Sequence, residues 1–273
     1  MMLKKIIRRL AYFFAMIFAT PKMANFHYFL FKLSLRGLGV MNYYDLVISG
    51  ERFFMTNLLP KFIQNTKPVF FDVGANRGEY SLMLANIFPN AKIFAFEPHP
   101  KNFEFLVQAK TQNFSPHALA LGNTVGQFNL YDYEDSNWSF DASLYQDVIS
   151  DILHKNSVSY IVQVDTLDSF TQSLEVDFID FLKIDTEGSE LAVLQGAQSL
   201  LEKGQIGVIQ FEFNEMNIIS RSFFYDFRKV LHNYVLFRLL PNGLLPIPES
   251  PLLTELFGFQ NILAIHKKKI NLL

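Results

Sequence analysis

The chain has 273 residues, a formal net charge of −2, 50% hydrophobic and 18% charged residues, which suits one large domain with an appendage and gives no global reason to expect nucleic acid as a partner. With no cysteine, disulfides, thiol nucleophiles and cysteine-built zinc or iron–sulfur sites are excluded, and a reducing compartment fits. The six histidines have neither H-x-x-x-H nor H-E-x-x-H spacing, so no histidine-built metal centre is expected.

Residues 1–9 carry Lys4, Lys5, Arg8 and Arg9, and residues 10–19 are continuously apolar apart from Tyr12. That order is shared with secretory signals. The apolar run is only about half the ~20 residues that span a bilayer, however, and Thr20-Pro21-Lys22 is a poor small-residue cleavage site. Three readings compete, with a secretory signal ranked last. The segment is otherwise a terminal helix packed on its own domain, or a basic helix on the inner membrane surface with Leu3, Ile6, Ile7 and Leu10 turned down. The protein is thus expected in the cytoplasm, with peripheral membrane contact through residues 1–20 in the membrane-surface case. Across 25–67 apolar residues recur at helical spacing, as in Phe26, Phe29, Leu30 and Leu33, then Phe53, Phe54, Leu58 and Phe62. Gly37-Leu38-Gly39 separates two or three helices there. Phenylalanine stripes read as core, so no substrate contact is assigned to them. Residues 1–66 are taken as a helical N-terminal extension and 67–273 as an α/β domain.

Val69 to Val73 is an apolar run behind Pro68, the pattern of a strand buried on both faces. Asp72 falls near its carboxyl end, where open α/β sheets place ligands. Gly74 lets the chain turn and a ligand approach, and Gly78 opens a helix. Position 76 is asparagine, so the pattern is G-x-x-x-G, without the middle glycine of the pyrophosphate-binding G-x-G-x-x-G. A second strand over 92–96 ends in Glu97-Pro98, a carboxylate placed for two ribose hydroxyls. Ribose without pyrophosphate suggests S-adenosylmethionine; an NAD-dependent oxidoreductase is the alternative.

Farther on, residues 101–110 read as a helix, 115–121 as a third strand and 127–133 as an additional one. The polar stretch 134–159 holds Trp138, the chain's one tryptophan, and serves as a substrate loop or as a structural plug. A short strand over 160–164 precedes Asp165, a candidate helix N-cap. The strand at 178–184 ends in Asp185-Thr186-Glu187-Gly188-Ser189-Glu190 and, as the fourth parallel strand, neighbours the first across the switch point. A helix over 190–201 stops at Gly204, strand 206–213 carries Glu212 in an apolar context, and 221–231 is helical. Apolar runs 234–240 and 260–267, joined by proline-rich residues 241–251, suit an antiparallel pair. His99 and His117 are weaker candidate bases.

The runs FDVGANRGEYS, FEPHP, DFLKIDTEGSELAVLQGA and VIQFEFNE together resemble the FkbM-type family of S-adenosylmethionine-dependent methyltransferases, over roughly residues 69–214. The resemblance implies a Rossmann-like class I methyltransferase fold, a mostly parallel seven-stranded sheet with a C-terminal antiparallel hairpin. It implies O-methylation of a hydroxyl on a sugar, nucleotide sugar or glycan, with S-adenosylmethionine as cofactor. Carried onto this sequence, Asp72 fixes the loop near the methionine amine, Gly74, Ala75 and Gly78 are close-approach backbone, Asn76 is a polar contact, Glu97 takes the ribose, and Leu119 and Ala120 flank the adenine. Asp185 is the first candidate for a general base or cation ligand beside the methyl position, with Glu187 and Glu212 next. Magnesium is the cation these carboxylates would hold; sharing a proton, capping a helix or pairing with Lys183 or Arg77 are the other roles open to them. A non-catalytic docking module for glycan assembly is a further alternative.

Overall fold

The computed structural model describes residues 2–134, 139 and 141–273. Their strands are β1 (Val69–Val73), β2 (Lys92–Phe96), β3 (Phe114–His117), β4 (Ala120–Leu121), β5 (Gly126–Tyr133), β6 (Ser157–Asp165), β7 (Ile179–Ile184), β8 (Ile206–Phe213), β9 (Tyr234–Leu240), β10 (Gly243–Pro246) and β11 (Gln260–His266). The larger sheet has eight strands in the order β10-β9-β11-β8-β7-β1-β2-β3. From β3 to β8 neighbours run parallel, whereas β11 is antiparallel to both β8 and β9. Strand order reverses between β1 and β7, which creates the crevice at their carboxyl ends.

The mostly parallel sheet with its C-terminal antiparallel pair is the one expected, with eight strands in place of seven. The extra strand, β10, lies in the proline-rich stretch. Asn242-Gly243 is a hairpin turn signal, and it folds β10 back on β9 with Leu244 opposite Leu239. The expected strand over 115–121 divides. After His117 a turn, with Leu119 N bonded to His117 O, sends Ala120 into a second sheet of order β4-β6-β5. Two local expectations also change. Thr166, not Asp165, caps the next helix, its hydroxyl accepting from Ser169 N at 3.1 Å. The helix expected over 190–201 is two, Glu190–Gln195 and Gln198–Lys203, parted at Gly196.

Alternation along the strands divides the core between two faces of the sheet. Phe71, Phe94, Phe96 and Phe211 pack with Phe170, Leu194 and Phe227 on one side. Phe70, Ile93, Phe181 and Val208 pack on the other with Phe54, Leu59 and Phe62. The helical stretch 51–62 therefore belongs to the sheet by packing, the ring of Phe54 lying 5.4 Å from that of Phe181. Upstream the picture differs. α1 (Met2–Phe18) exposes every described side chain and α2 (Ala24–Gly37) buries only Leu35, so α1 is not a helix packed into its own domain's core. No described helix is long and apolar enough to cross a membrane. Trp138, with Ser136 and Asn137 of the expected substrate loop, lies outside the described residues.

Candidate active site

A cavity of about 820 Å³ opens at the carboxyl ends of β1, β2, β7 and β8, within the ~300–1,000 Å³ usual for small-molecule sites. Gly74, Ala75, Asn76, Glu97 and Ala120 line it together with Asp185, Glu187 and Glu212. Asp72, Gly78 and Leu119 are not among its lining residues. Part of the remaining wall comes from places with no motif. Tyr43, Tyr44, Asp45 and Glu51 enter from the N-terminal side, and Asp141 and Leu144 from the segment after β5.

The turn after β1 is tied to β2, since Gly74 N and Ala75 N both donate to Phe96 O at 3.0 and 2.9 Å. Gly74 has φ +80°, and a Cβ there would stand 1.7 Å from Asp185 O, so glycine is demanded by the β7 loop pressed against it. Gly78, at φ +86°, is likewise closed by protein: a Cβ would meet Leu106 Cδ1 at 2.8 Å. At both positions the neighbour that excludes a side chain is a protein group. Asn76 takes φ +48°, a left-handed conformation that asparagine tolerates. Its backbone N donates to Glu97 Oε2 at 2.8 Å and its Nδ2 to Ser139 O at 2.8 Å, while Oδ1 is buried with no partner among the described residues.

Glu97 Oε1 accepts from His99 N at 2.8 Å, so each carboxylate oxygen holds one backbone donor and keeps capacity for another. Burial pushes its pKa up to about 7, against the pull of these two backbone donors. Asp72 is wholly buried: Oδ2 accepts from Ser81 Oγ at 2.6 Å, Oδ1 has no partner among the described residues, and burial raises its pKa. An orphaned acceptor on Asn76, a carboxylate with spare lone pairs and a roomy cavity fit an adenosine-bearing ligand such as S-adenosylmethionine.

Beside this cradle, oxygens of Asp185, Glu187 and Glu212 lie within 4.8 Å of one another. Lys183, buried on β7, reaches Asp185 Oδ2 at 2.8 Å. Burial pulls the Lys183 pKa down, but Asp185, Asp72 and Glu51 together push it up further, so it stays an ammonium. Asn214 Nδ2 donates to both Glu187 Oε2, at 3.5 Å, and Glu212 Oε2, at 3.4 Å. Burial and the negative charge of Asp185 raise both glutamates well above the ordinary carboxylate range. Glu187 itself sits at φ +50°. Its loop is held by Glu190, whose Oε1 accepts from Thr186 N and Gly188 N at 2.9 and 3.1 Å.

Behind the acids, Gln210 joins two parts of the chain that no local pattern connects. Its Nε2 donates to Glu51 Oε1 at 2.9 Å, and its Oε1 accepts from Tyr80 Oη at 2.7 Å. The other candidate bases lie elsewhere. His99 is buried against Asp132 at 3.3 Å and caps its own helix, and His117 stacks on Phe96; neither lines the cavity. Arg77 lies over the Phe105 ring. The residues that sequence reading missed are Tyr43, Tyr44, Glu51 and Asn214; for the first two the adjacent tyrosine pair was the one available signal.

Comparison with known proteins adds the family. The model described as the methyltransferase FkbM domain matches residues 72–237. The hexuronic acid methyltransferase AglP of Haloferax volcanii is 26% identical over 147 residues, covering 52% of this chain and 55% of that protein, so the chain matches about half the length of this relative. Among solved structures, the methyltransferase FkbM from Methylobacillus flagellatus KT has a TM-score of 0.45 at 15% identity, covering 73% of this chain and 44% of that one. The plantazolicin methyltransferase BpumL, solved with SAH, has a TM-score of 0.42 at 10% identity and covers 97% and 99%. With the family match extending over more than half of its residues, the chain belongs to the FkbM methyltransferase family.

Proposed function

We propose that this protein O-methylates a hydroxyl of a sugar, nucleotide sugar or glycan, using S-adenosylmethionine. The observation that carries the reading is that the β1 turn, Glu97 and the three carboxylates share one cavity. When bound, S-adenosylmethionine supplies a methyl group on a sulfonium, already activated for displacement. Glu97 and Asn76 hold the ribose hydroxyls, Ala120 bounds the adenine side, and Asp72 and Gly74 keep the turn in place behind them. Residues 43–51 add one side of the cavity wall, which limits water around the reacting oxygen.

A sugar hydroxyl holds its proton tightly at neutral pH, so the enzyme needs an acceptor for it. Glu187 and Glu212, bridged by the Asn214 amide and both raised by burial and by Asp185, are the groups placed to take the hydroxyl proton. Asp185, paired with Lys183, orients the acceptor and sets the charge felt by the glutamates. The three acids are also spaced for a divalent cation. Because Lys183 and Asn214 already partner them, we read the set as a proton-sharing cluster, and methyl transfer is expected to survive chelation by EDTA.

A sugar acceptor is supported by the relative, a hexuronic acid methyltransferase. A chain without cysteine goes with a cytoplasmic setting. Dinucleotide oxidation has less support, since Asn76 stands where the pyrophosphate fingerprint has its middle glycine. The test is methyl transfer to a panel of neutral sugars, uronic acids and nucleotide sugars, with Glu212→Gln as control. Turnover in the wild type that falls about 10²–10⁴-fold in the variant is expected. Binding of NAD in place of S-adenosylhomocysteine, or no transfer at all, would point to the oxidoreductase or the docking module.

A further inference from the structure

Residues 1–44 contain seven lysines and arginines and no aspartate or glutamate, in a molecule whose net charge is −2. The first 44 residues therefore carry +7, leaving −9 on residues 45–273. In α1 the charge has a side. At 100° per residue, Ile6, Leu10, Phe13, Phe14, Ile17 and Phe18 fall within about 140° of arc, and Lys5 and Arg8 lie on the opposite side with Arg9 at its edge. None of these apolar side chains is covered; Leu10 is 63% and Ile17 62% exposed.

α2 continues the surface. Phe26, Phe29, Phe31 and Leu33 are all exposed, and the two helices meet where the Phe14 ring lies 5.6 Å from His27 and His27 Nε2 contacts Phe18 O at 3.0 Å. This hairpin is far more apolar surface than a water-exposed element carries without a partner. Its foot is fastened to the domain just past α2, where Met41 N donates to Phe259 O at 2.6 Å, and Arg36 Nη2 donates to Tyr44 Oη at 2.8 Å. Tyr44 also lines the rim of the cavity.

We propose that α1 and α2 dock the protein on an anionic phospholipid bilayer, the apolar face of α1 entering the headgroup boundary and its basic face meeting lipid phosphates. Both features of the surface are required: an apolar stripe answers to the acyl chains, and clustered cations answer to the negative leaflet. Self-pairing through this hairpin would set +7 against +7. The docking is independent of the chemistry in the cavity.

Flotation of the full chain with vesicles of phosphatidylcholine and phosphatidylglycerol, against phosphatidylcholine alone, tests it. The wild type is expected to float with the anionic vesicles and much less with the neutral ones. Arg8→Glu with Arg9→Glu is expected to weaken that partition by about thirtyfold or more, from about 1 kcal/mol per cation removed. Ile6→Asp with Phe13→Asp is expected to abolish it, with the melting temperature unchanged because both side chains are exposed and outside the domain core. Absence of flotation, equal flotation with neutral vesicles, or self-association lost in Phe13→Asp without any lipid binding would each overturn the proposal.

Discussion

Glu97 is held by two backbone donors yet titrates near 7, because its burial outweighs them. The sign of the consequence is fixed. A carboxyl whose folded pKa lies above its unfolded value makes the folded state bind more protons, so its contribution to stability falls as pH rises from the ordinary glutamate range to about 7. Affinity for S-adenosylhomocysteine moves the other way, since the ionised carboxylate is the better acceptor for ribose hydroxyls. Melting and titration across that range should show the two trends crossing, and Glu97→Gln should flatten both. Glu187 and Glu212 carry a similar conflict. Each is raised by burial and by Asp185, so Glu212→Gln should raise the melting temperature at alkaline pH while it removes turnover. Lys183→Met should instead destabilise by about 3 kcal/mol or more, because Asp185 and Asp72 lose their buried cation; urea denaturation measures it. Glu97 and Asp185 were legible in sequence because they directly follow strands, and Glu212 because it is a carboxylate inside an apolar one. Its partner Asn214 was not, since an asparagine two residues past Glu212 has no pattern of its own.

The central strands are apolar runs buried along nearly their whole length, and such runs can be read directly. The elements that sequence reading divided differently are short or turn on contacts made elsewhere: the two residues of β4 join β6, and β10 is a four-residue return against β9. The wall segment at residues 43–51 is a stronger case. Its buried Glu51 is placed by Gln210, which is 159 residues away, and no window of sequence contains both. The β1–β7 junction makes the element-scale prediction. Gly74→Ala must fit a methyl 1.7 Å from Asp185 O at φ +80°, so the two loops have to separate. A loss of about 2–3 kcal/mol of stability, larger than at Gly243 where an added Cβ meets nothing within 4 Å, is expected in denaturant melts.

Charge is segregated across the whole molecule, with a basic, apolar hairpin at one end of the chain and an acidic body around the cavity. Arg36 and Tyr44 connect the two, so a protein lying on a bilayer through its hairpin would have the rim of the cavity next to the hairpin's foot. That arrangement serves acceptors displayed at a membrane better than acceptors free in solution, and vesicle-borne glycans should be methylated faster than the same sugars in bulk. The proposed chemistry requires an adenosine seated between the β1 turn and Glu97. Calorimetric titration of the wild type and Glu97→Gln with S-adenosylhomocysteine tests this most directly: binding that weakens about tenfold or more in the variant, as loss of charge-assisted hydrogen bonds requires, is the predicted result, and equal affinity in the two proteins, or none in either, would contradict it.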